Sequence, residues 1–264
     1  LCVYLASSTP RTDFLSTTIL FSSLFLLIYY LKEIRFVWLL LLGFGTRFIL
    51  CFVLPELSDD YYRFVWDGIL NLKGVNPYYF KPSELINSLP AQQFIYDNLN
   101  SQQYYSVYPS INQYLYTLGT FIGKGDLYWS TVMMKFFILL AEGVSIFSLL
   151  RLFRYFKISR KVSLLYILNP LVILEFCGNF HFEGFMIAAI LFTLHLLTRK
   201  KVTLAAFSFF IAVCVKIMPL ILLPLFFRFL GITKGIKFTV ITLFLSFLSF
   251  IPFEIWKYNV YSHI

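Results

Sequence analysis

The sequence predicts an all-α fold, a polytopic transmembrane helical bundle with a long outer loop that carries interfacial helices. The first observation is composition: 59% of the 264 residues are hydrophobic, 20% are aromatic and 13% are charged. A soluble domain is about 45–50% apolar and about 25% charged. The second is a mean hydropathy of +0.77. Because a water-soluble fold could not cover this much apolar surface, we expect lipid to be its main solvent.

The third observation is a series of apolar runs whose lengths are close to the roughly 20 residues that a transmembrane helix needs. These predicted spans are 14–31, 36–54, 131–150, 162–177, 185–198, 202–230 and 238–253. The run 202–230 contains Lys216, Pro219 and Pro224. We expect a bent hairpin of two short helices with Lys216 near its outer tip, where a break tolerates proline. The alternative is one kinked span.

Charge predicts the orientation of these spans. Most of the 22 lysines and arginines fall in four short segments, around 32–35, 151–161, 199–201 and 228–237, whereas most of the 13 acids fall in the other loops. Cytoplasmic loops carry the excess of Lys and Arg. The loop 55–130 and the turn near residue 180 should therefore lie on the outer face.

We expect one transmembrane domain over residues 1–264, with an outer catalytic loop at 55–130 within it. The opening LCVYLASSTP is typical of the tail of an earlier span, so the chain is expected to be a fragment of a longer one. It has no N-x-[ST] glycosylation site, which favours a bacterial cytoplasmic membrane. The four cysteines form no CxxC pair and lie in or beside apolar runs, which favours a packing role.

The outer loop begins with an amphipathic pattern. Ser58 is a suitable N-cap, and Asp59 and Asp60 follow in the first turn. Helical spacing then puts Asp60, Arg63 and Asp67 on one face, which predicts an interfacial helix. Lys73-Gly74 should end it. Acids in a first turn are also favoured by the helix dipole and need no chemistry.

Two further segments are polar and aromatic. The stretch 102–119 predicts a helix that starts near Pro109, either an interfacial tyrosine belt or a substrate surface. The stretch 167–187 predicts a helix broken at Asn169-Pro170, then an outer turn that contains His181 and Glu183. His181 and Glu183 are two positions apart and so do not share a helix face, and no third ligand lies nearby. The pair is therefore a weak indication of a metal site. We assign no metal ligands and no certain cofactor, although a divalent cation remains possible.

Four ionisable residues lie at membrane depth in the predicted spans. Such groups are functional hypotheses by default. We expect Lys135 and Glu142, two turns apart on one helix, to pair with groups on neighbouring helices. Arg47 is expected to pair or to reach the interface, and His195 to be a satisfied helix histidine.

The predicted topology brings carboxylates, an imidazole, cations and aromatic rings to one face of the membrane. A carboxylate can act as a general base for a sugar hydroxyl, and cations can stabilise a leaving phosphate. This set suits transfer of a sugar from a lipid-phosphate carrier to a hydroxyl. No nucleotide-binding glycine loop is present.

At these residues the chain also resembles a known family. The motifs are LSDDYYRFVWDGILNLKGVNPY, YPSINQ, NPLVILEFCGNFHFEG and VKIMPLILLPL. They look like those of the GT-C superfamily of polytopic glycosyltransferases, nearest to the mannosyltransferases that use polyprenol-phosphate sugars. The resemblance runs from about residue 36 to 225. Family members usually have more spans, which leaves the acceptor side undefined.

The resemblance places the catalytic acid on Asp59 or Asp60. Asp60 shares a face with Arg63, whereas Asp59 lies closer to the membrane, and this favours Asp59. By charge, Arg63, His181 and Lys216 are candidates for the donor phosphate. We expect the following to contact substrate: Trp66, Asp67, Asn76, Tyr78, Tyr108, Gln113, Asn179 and Glu183.

The expected partners are a polyprenol-phosphate sugar donor, a glycan or lipid-linked acceptor and the lipid bilayer, with no nucleic acid. Two alternatives remain. A multi-pass transporter or lipid flippase would use Glu142, Lys135 and the broken segment at Lys216. A membrane scaffold would use Asp59 and Asp60 only as helix-capping residues.

Overall fold

The computed structural model describes residues 1–10, 12–31 and 34–255, and these contain helices and no strands. The all-α prediction is confirmed. The longer helices outside the 55–126 region form the body of the molecule. They are α2 (Phe14–Tyr30), α3 (Phe36–Leu50), α8 (Leu127–Tyr155), α11 (Glu183–Thr198), α12 (Val202–Val215) and α14 (Ile232–Ile255), preceded by the short α1 (Cys2–Ser8).

Among the described residues, two helices are long and apolar enough to cross a membrane, Leu127–Tyr155 and Ile232–Glu254. A third span would form if the pair Arg160–Ile167 and Pro170–Gly178, bent by 52°, crosses as one unit. Five other apolar helices, in predicted spans, are only 10–17 residues long. Several predicted spans therefore form shorter helices than a simple apolar count suggests.

The segment 160–178 is broken at the predicted place. A 3-10 turn (Arg160–Ser163) leads to α9 (Leu164–Ile167), and α10 (Pro170–Ile173) continues into a π-helical turn (Leu174–Gly178). The Asn169 side chain accepts the backbone N–H of Leu171 at 3.0 Å, and Pro170 occupies the first helical position. This cap restarts the helix in a new direction.

The segment 202–230 is also broken as predicted. α12 ends at Val215, Lys216 is extended, and a 3-10 turn (Met218–Leu222) leads into α13 (Leu223–Leu230). The Phe226 ring of α13 packs edge-on against Phe209 of α12 at 4.9 Å. Because the chain returns along α12, the hairpin prediction is confirmed.

The basic segments meet at one end of the bundle. The Arg160 guanidinium lies over the Phe36 ring at 5.1 Å. Phe156, Thr198 and Phe229 line one small cavity, which joins the ends of α8, α11 and α13. We call this the basic end. The residues after α3, the turn between 178 and 183, and Lys216 lie at the opposite end.

The region between α3 and α8 contributes α4 (Asp60–Leu72), α5 (Pro82–Leu85), α6 (Gln93–Asp97) and α7 (Ser110–Ile122). The predicted helix start at Pro109 is confirmed, since Pro109 is the N-cap of α7. α4 and α7 pack at close range: a Cβ on Gly68 would lie 2.2 Å from Thr120 Oγ1 and 2.6 Å from the Tyr116 carbonyl oxygen. The Phe64 and Tyr116 rings stack at 4.7 Å. This tight pair supports the residues described next.

Candidate active site

Asp60 is the first residue of α4 and lies half-buried at the mouth of a cavity. Its Oδ1 accepts a hydrogen bond from Asn100 Nδ2 at 2.8 Å, and its Oδ2 lies 3.9 Å from His181 Nε2. Asp59 is the N-cap, although the sequence predicts Ser58 in that role. Asp59 is not among the residues that line the cavity. Of the acidic pair, Asp60 is therefore the one that lines the cavity.

Arg63 lies away from the cavity in a buried network. Its Nε donates to Asp67 Oδ1 at 2.8 Å, and its Nη1 donates to the carbonyl oxygens of Ser101 and Tyr104. Arg63 is 2% exposed and Asp67 is fully buried. The sequence pattern predicts an amphipathic interfacial helix, but α4 buries its polar face because the 83–106 segment covers it. Arg63 is thus not positioned to meet a donor phosphate at this cavity.

Asp67 anchors a wider polar network. Its Oδ2 accepts hydrogen bonds from Ser106 Oγ at 2.5 Å and Gln113 Nε2 at 2.9 Å, and Gln113 Oε1 accepts one from Asn71 Nδ2 at 2.9 Å. The predicted substrate contacts Asp67 and Gln113 are both fully buried here. Their side chains join α4 to α7 instead of facing the cavity.

Three more predicted substrate contacts lie in the supporting structure. Trp66 is 1% exposed, and Asn76 is fully buried with its Nδ2 donating to the Phe253 carbonyl oxygen. The Tyr78 hydroxyl donates to the Tyr108 carbonyl oxygen at 2.6 Å. Tyr78 therefore bonds the main chain of Tyr108, a residue that does line the cavity.

The turn after the π-helical segment carries His181. Its Nδ1 lies 2.7 Å from Glu175 Oε1, and its Nε2 lies 3.4 Å from Ser58 Oγ. Asn179 Nδ2 donates to Glu175 Oε2 at 3.1 Å, so this predicted substrate contact holds the Glu175 carboxylate and does not line the cavity. The pKa of His181 is raised, mainly by the hydrogen bond to Glu175. The negative charges of Glu175, Glu183 and Asp60 raise it further.

Lys216 and Glu183 form the other charged pair of the site. Lys216 Nζ donates to Glu183 Oε1, and both side chains are partly exposed. Lys216 follows the last residue of α12 and Glu183 starts α11, so the pair bridges two helix ends. Sequence distance hides this pairing, since the two residues are 33 positions apart.

These groups surround one cavity of about 360 Å³. Its lining combines charged and polar residues with an aromatic wall. The lining residues are Asp60, Phe64, Val107, Tyr108, Pro109, Asn112, Tyr116, His181, Phe182, Glu183, Val215 and Lys216. Five predicted site residues thus come together: Asp60, Tyr108, His181, Glu183 and Lys216.

Several residues of this site were not predicted from the sequence, among them Glu175, Asn100 and Asn112. Glu175 lies near the end of the predicted span 162–177, where nothing in the sequence pattern indicates that it bonds His181. Asn100 bonds Asp60, and Asn112 lines the cavity while donating to the Val215 carbonyl oxygen at 2.8 Å. Glu175 and His181 are six residues apart across a π-helical turn, a spacing that matches neither helical nor strand periodicity, so their contact could not be predicted from the sequence.

Three of the four ionisable residues assigned to the predicted spans are hydrogen-bonded inside the protein, whereas the buried Nδ1 of the fourth, His195, has no hydrogen-bond partner among the described residues. Arg47 Nε and Glu142 Oε2 form a buried ion pair at 2.8 Å, and the Tyr166 hydroxyl donates to Glu142 Oε1 at 2.6 Å. Lys135 Nζ donates to the carbonyl oxygens of Leu50, Val53 and Gly178. The expected pairing with neighbouring helices is confirmed for both residues: Glu142 pairs with Arg47, and Lys135 bonds main-chain oxygens at the ends of two other helices.

Over the described part of the chain, no group of three His, Cys, Asp or Glu side chains is arranged to hold a metal ion. The chemistry that the cavity offers is a carboxylate, an imidazole held by a second carboxylate, a lysine and several rings. This combination fits acid–base chemistry on a hydroxyl beside an anionic group.

Residues 47–231 match a family described as alpha-(1->6)-mannopyranosyltransferase, N-terminal domain, the MptA_B family. The match covers more than half of the chain and contains every lining residue of the cavity. The protein belongs to this mannosyltransferase family, which confirms the family resemblance seen in the motifs. Searches of curated proteins and of solved structures found no match.

Proposed function

We propose that the protein is a multi-pass membrane mannosyltransferase that moves mannose from a polyprenol-phosphate donor to a hydroxyl of a glycan or lipid-linked acceptor. The observation that carries the proposal is the cavity, where Asp60 faces a partly exposed imidazole and a lysine in a chain of this family. A carboxylate base and cations suited to phosphate are the two groups that this reaction requires.

The arrangement of the helices supports a membrane position. Apolar helices dominate the chain, and large apolar side chains of α2, α3 and α14 are exposed, as expected for lipid contact. The basic segments gather at one end, and the positive-inside rule would make that end cytoplasmic. The cavity would then open on the periplasmic face of a bacterial cytoplasmic membrane.

In the proposed reaction, Asp60 Oδ2 accepts the proton of the acceptor hydroxyl. The acceptor oxygen forms a bond to the sugar C1 while the bond from C1 to the phosphate oxygen breaks. One displacement from the opposite side inverts the anomeric carbon, and the polyprenyl phosphate leaves with its electron pair. Lys216 and His181 offset its negative charge, while Tyr108 and Phe182 offer ring faces to the sugar.

The competing proposal of a transporter or flippase has less support. It would rely on ionisable groups at the midplane that bind cargo in alternating states. Glu142 is paired with Arg47, and Lys135 bonds three carbonyl oxygens, so neither is directed into the cavity. These contacts favour a structural role for both.

The test is transfer of radiolabelled mannose from polyprenol-phosphate mannose in membranes that contain the protein. We expect Asp60→Asn to reduce transfer about 100- to 10,000-fold, the usual contribution of general base catalysis. The amide can still accept the bond from Asn100. Asp97→Asn is the matched control, because Asp97 is an exposed acid of the same loop that bonds Gln93.

Asp59→Asn distinguishes the two adjacent acids, and we expect it to retain most of the transfer activity. Full activity of Asp60→Asn, or loss only in Asp59→Asn, would refute the assignment of Asp60 as the base. Uptake of the lipid carrier into vesicles without transfer to any acceptor would favour the transporter instead.

A further inference from the structure

Glu175 has no role in the proposed reaction as described above, yet its side chain is fully engaged at the edge of the site. Oε1 bonds the His181 ring and Oε2 accepts from Asn179. A carboxylate with both oxygens committed to neighbouring side chains is held in one orientation. It lines no part of the cavity itself, so any effect on the reaction must pass through His181.

The backbone between Glu175 and His181 is shaped for this contact. The π-helical turn ends at Gly178, the Asn179 N–H donates to the Leu174 carbonyl oxygen at 2.6 Å, and the His181 N–H donates to that of Glu175 at 3.2 Å. Phe180 has a φ of +66°, a region that a bulky residue rarely adopts. Structural support is required to hold such a residue, and π-helical turns often mark functional sites.

That support comes from packing. The Phe180 side chain is fully buried, and its ring meets Phe64 of α4 at 5.2 Å and Phe182 at 5.4 Å. Phe64 is one turn along α4 from Asp60. The same ring cluster therefore holds the turn of His181 against the helix that presents Asp60.

The bond to Glu175 decides how the imidazole is presented. A carboxylate accepts, so Nδ1 of His181 is the donor to Oε1. Nε2 is then turned towards Ser58 Oγ and Asp60 Oδ2, at 3.4 and 3.9 Å. The charged groups that face the ring are Glu175 on its own segment, Glu183 at the start of α11 and Asp60 on α4, with Lys216 bound to Glu183.

We propose that Glu175 is a positioning residue that holds His181 as an imidazolium with its Nε2–H directed into the cavity. The inference rests on the proposed function, in which that N–H hydrogen-bonds the phosphate oxygen as the bond to the sugar breaks. No proton leaves His181: the acceptor proton goes to Asp60, and the imidazolium only stabilises the developing charge. A carboxylate that accepts from Nδ1 is a common device for fixing the orientation of a functional histidine ring.

The first measurement uses the parent protein and no substrate. The chain has three histidines, so ring-¹⁵N labelling in lipid nanodiscs gives few signals, and a His181→Gln variant identifies the one from His181. In its neutral form, His181 should carry its proton on Nδ1. A neutral form protonated on Nε2 would overturn the proposal, whether or not the protein transfers mannose.

The second measurement compares Glu175→Gln with Glu84→Gln. Glu84 is an exposed glutamate whose carboxylate caps Lys81 N at 2.9 Å, and an amide oxygen can keep that bond. In Glu175→Gln the titration midpoint of His181 should move to lower pH, and the pH at which transfer declines should move with it. In Glu84→Gln neither should change.

We expect Glu175→Gln to lower the turnover rate about 10- to 100-fold, the range found when a carboxylate that orients a metal-bound histidine is changed, with a smaller change in KM. The double variant Glu175→Gln/His181→Gln should be no slower than His181→Gln alone, because Glu175 acts through the ring. An unchanged midpoint and pH profile in folded Glu175→Gln would overturn the proposal. A parent protein without transfer activity would refute the function and leave the titration result standing.

Discussion

The buried ion pair between Arg47 and Glu142 gives a stability prediction that the structure makes quantitative. Both side chains are fully buried, and they join α3 to α8. Removing one partner from such a pair costs about 3–5 kcal/mol, because the other is left buried and uncompensated. We expect this cost for Glu142→Leu, where Arg47 keeps only carbonyl oxygens as hydrogen-bond partners.

The double variant Arg47→Met/Glu142→Leu should be less damaged than the single variant. Replacing both ions by apolar groups removes the uncompensated charge. It also removes the donor to the Ile167 carbonyl oxygen, now bonded at 2.6 Å next to the helix break. A buried carbonyl without a partner costs about 1–3 kcal/mol, and we expect the double variant to lose about that much.

The assay is thermal unfolding in detergent, followed by fluorescence of the four tryptophans. At roughly 2–4 °C per kcal/mol for a chain of this size, Glu142→Leu should lower Tm by about 6–20 °C, and the double variant by less. Leu140→Met, a volume-conserving change at an exposed position of the same helix, is the control. A loss under about 2 °C for Glu142→Leu, or a double variant no more stable than it, would refute the reasoning.

Two other changes test different parts of the molecule. Gly68→Ala should destabilise the α4–α7 pair and reduce transfer, because its Cβ would meet the Tyr116 main chain; Gly45→Ala, which meets nothing within 4 Å, should not. The raised pKa of His181 means that the folded state binds a proton more tightly than the unfolded chain. Its stabilisation should be complete below about pH 6.5 and should decline as pH rises through the folded pKa; equal Tm differences between parent and His181→Gln at all pH values would contradict this.

Much of the fold was predictable because the two breaks inside predicted spans coincide with strong local signals. Asn169-Pro170 combines a capping side chain with a residue that cannot continue the preceding helix, and Lys216 with the nearby Pro219 interrupts an apolar run. Pro109 begins α7 for the same reason. These signals are encoded within a few residues and do not depend on the packing of the rest of the chain.

The site was predictable only in part, because its geometry depends on contacts across the sequence. Asp60, His181 and Lys216 were identified from residue type and topology, and they meet at the cavity. Arg63 and Asp67 share the helix face of Asp60, but the 83–106 segment covers that face and turns them into buried structure. Helical periodicity predicts which residues share a helix face, but it does not predict which other segment of the chain packs over that face.

Lys135 explains how the separate parts of the site are held in register. Its ammonium group bonds the Leu50 and Val53 carbonyl oxygens, where α3 ends before Asp60, and the Gly178 oxygen, where the π-helical turn ends before His181. Carbonyl groups at helix ends lack intrahelical partners, and in an apolar interior a buried cation can satisfy several at once. Arg47 does the same beside the break after Ile167. The two buried cations therefore act where helices stop, and Lys135, which lies outside the cavity, fixes both the segment that leads to Asp60 and the segment that leads to His181.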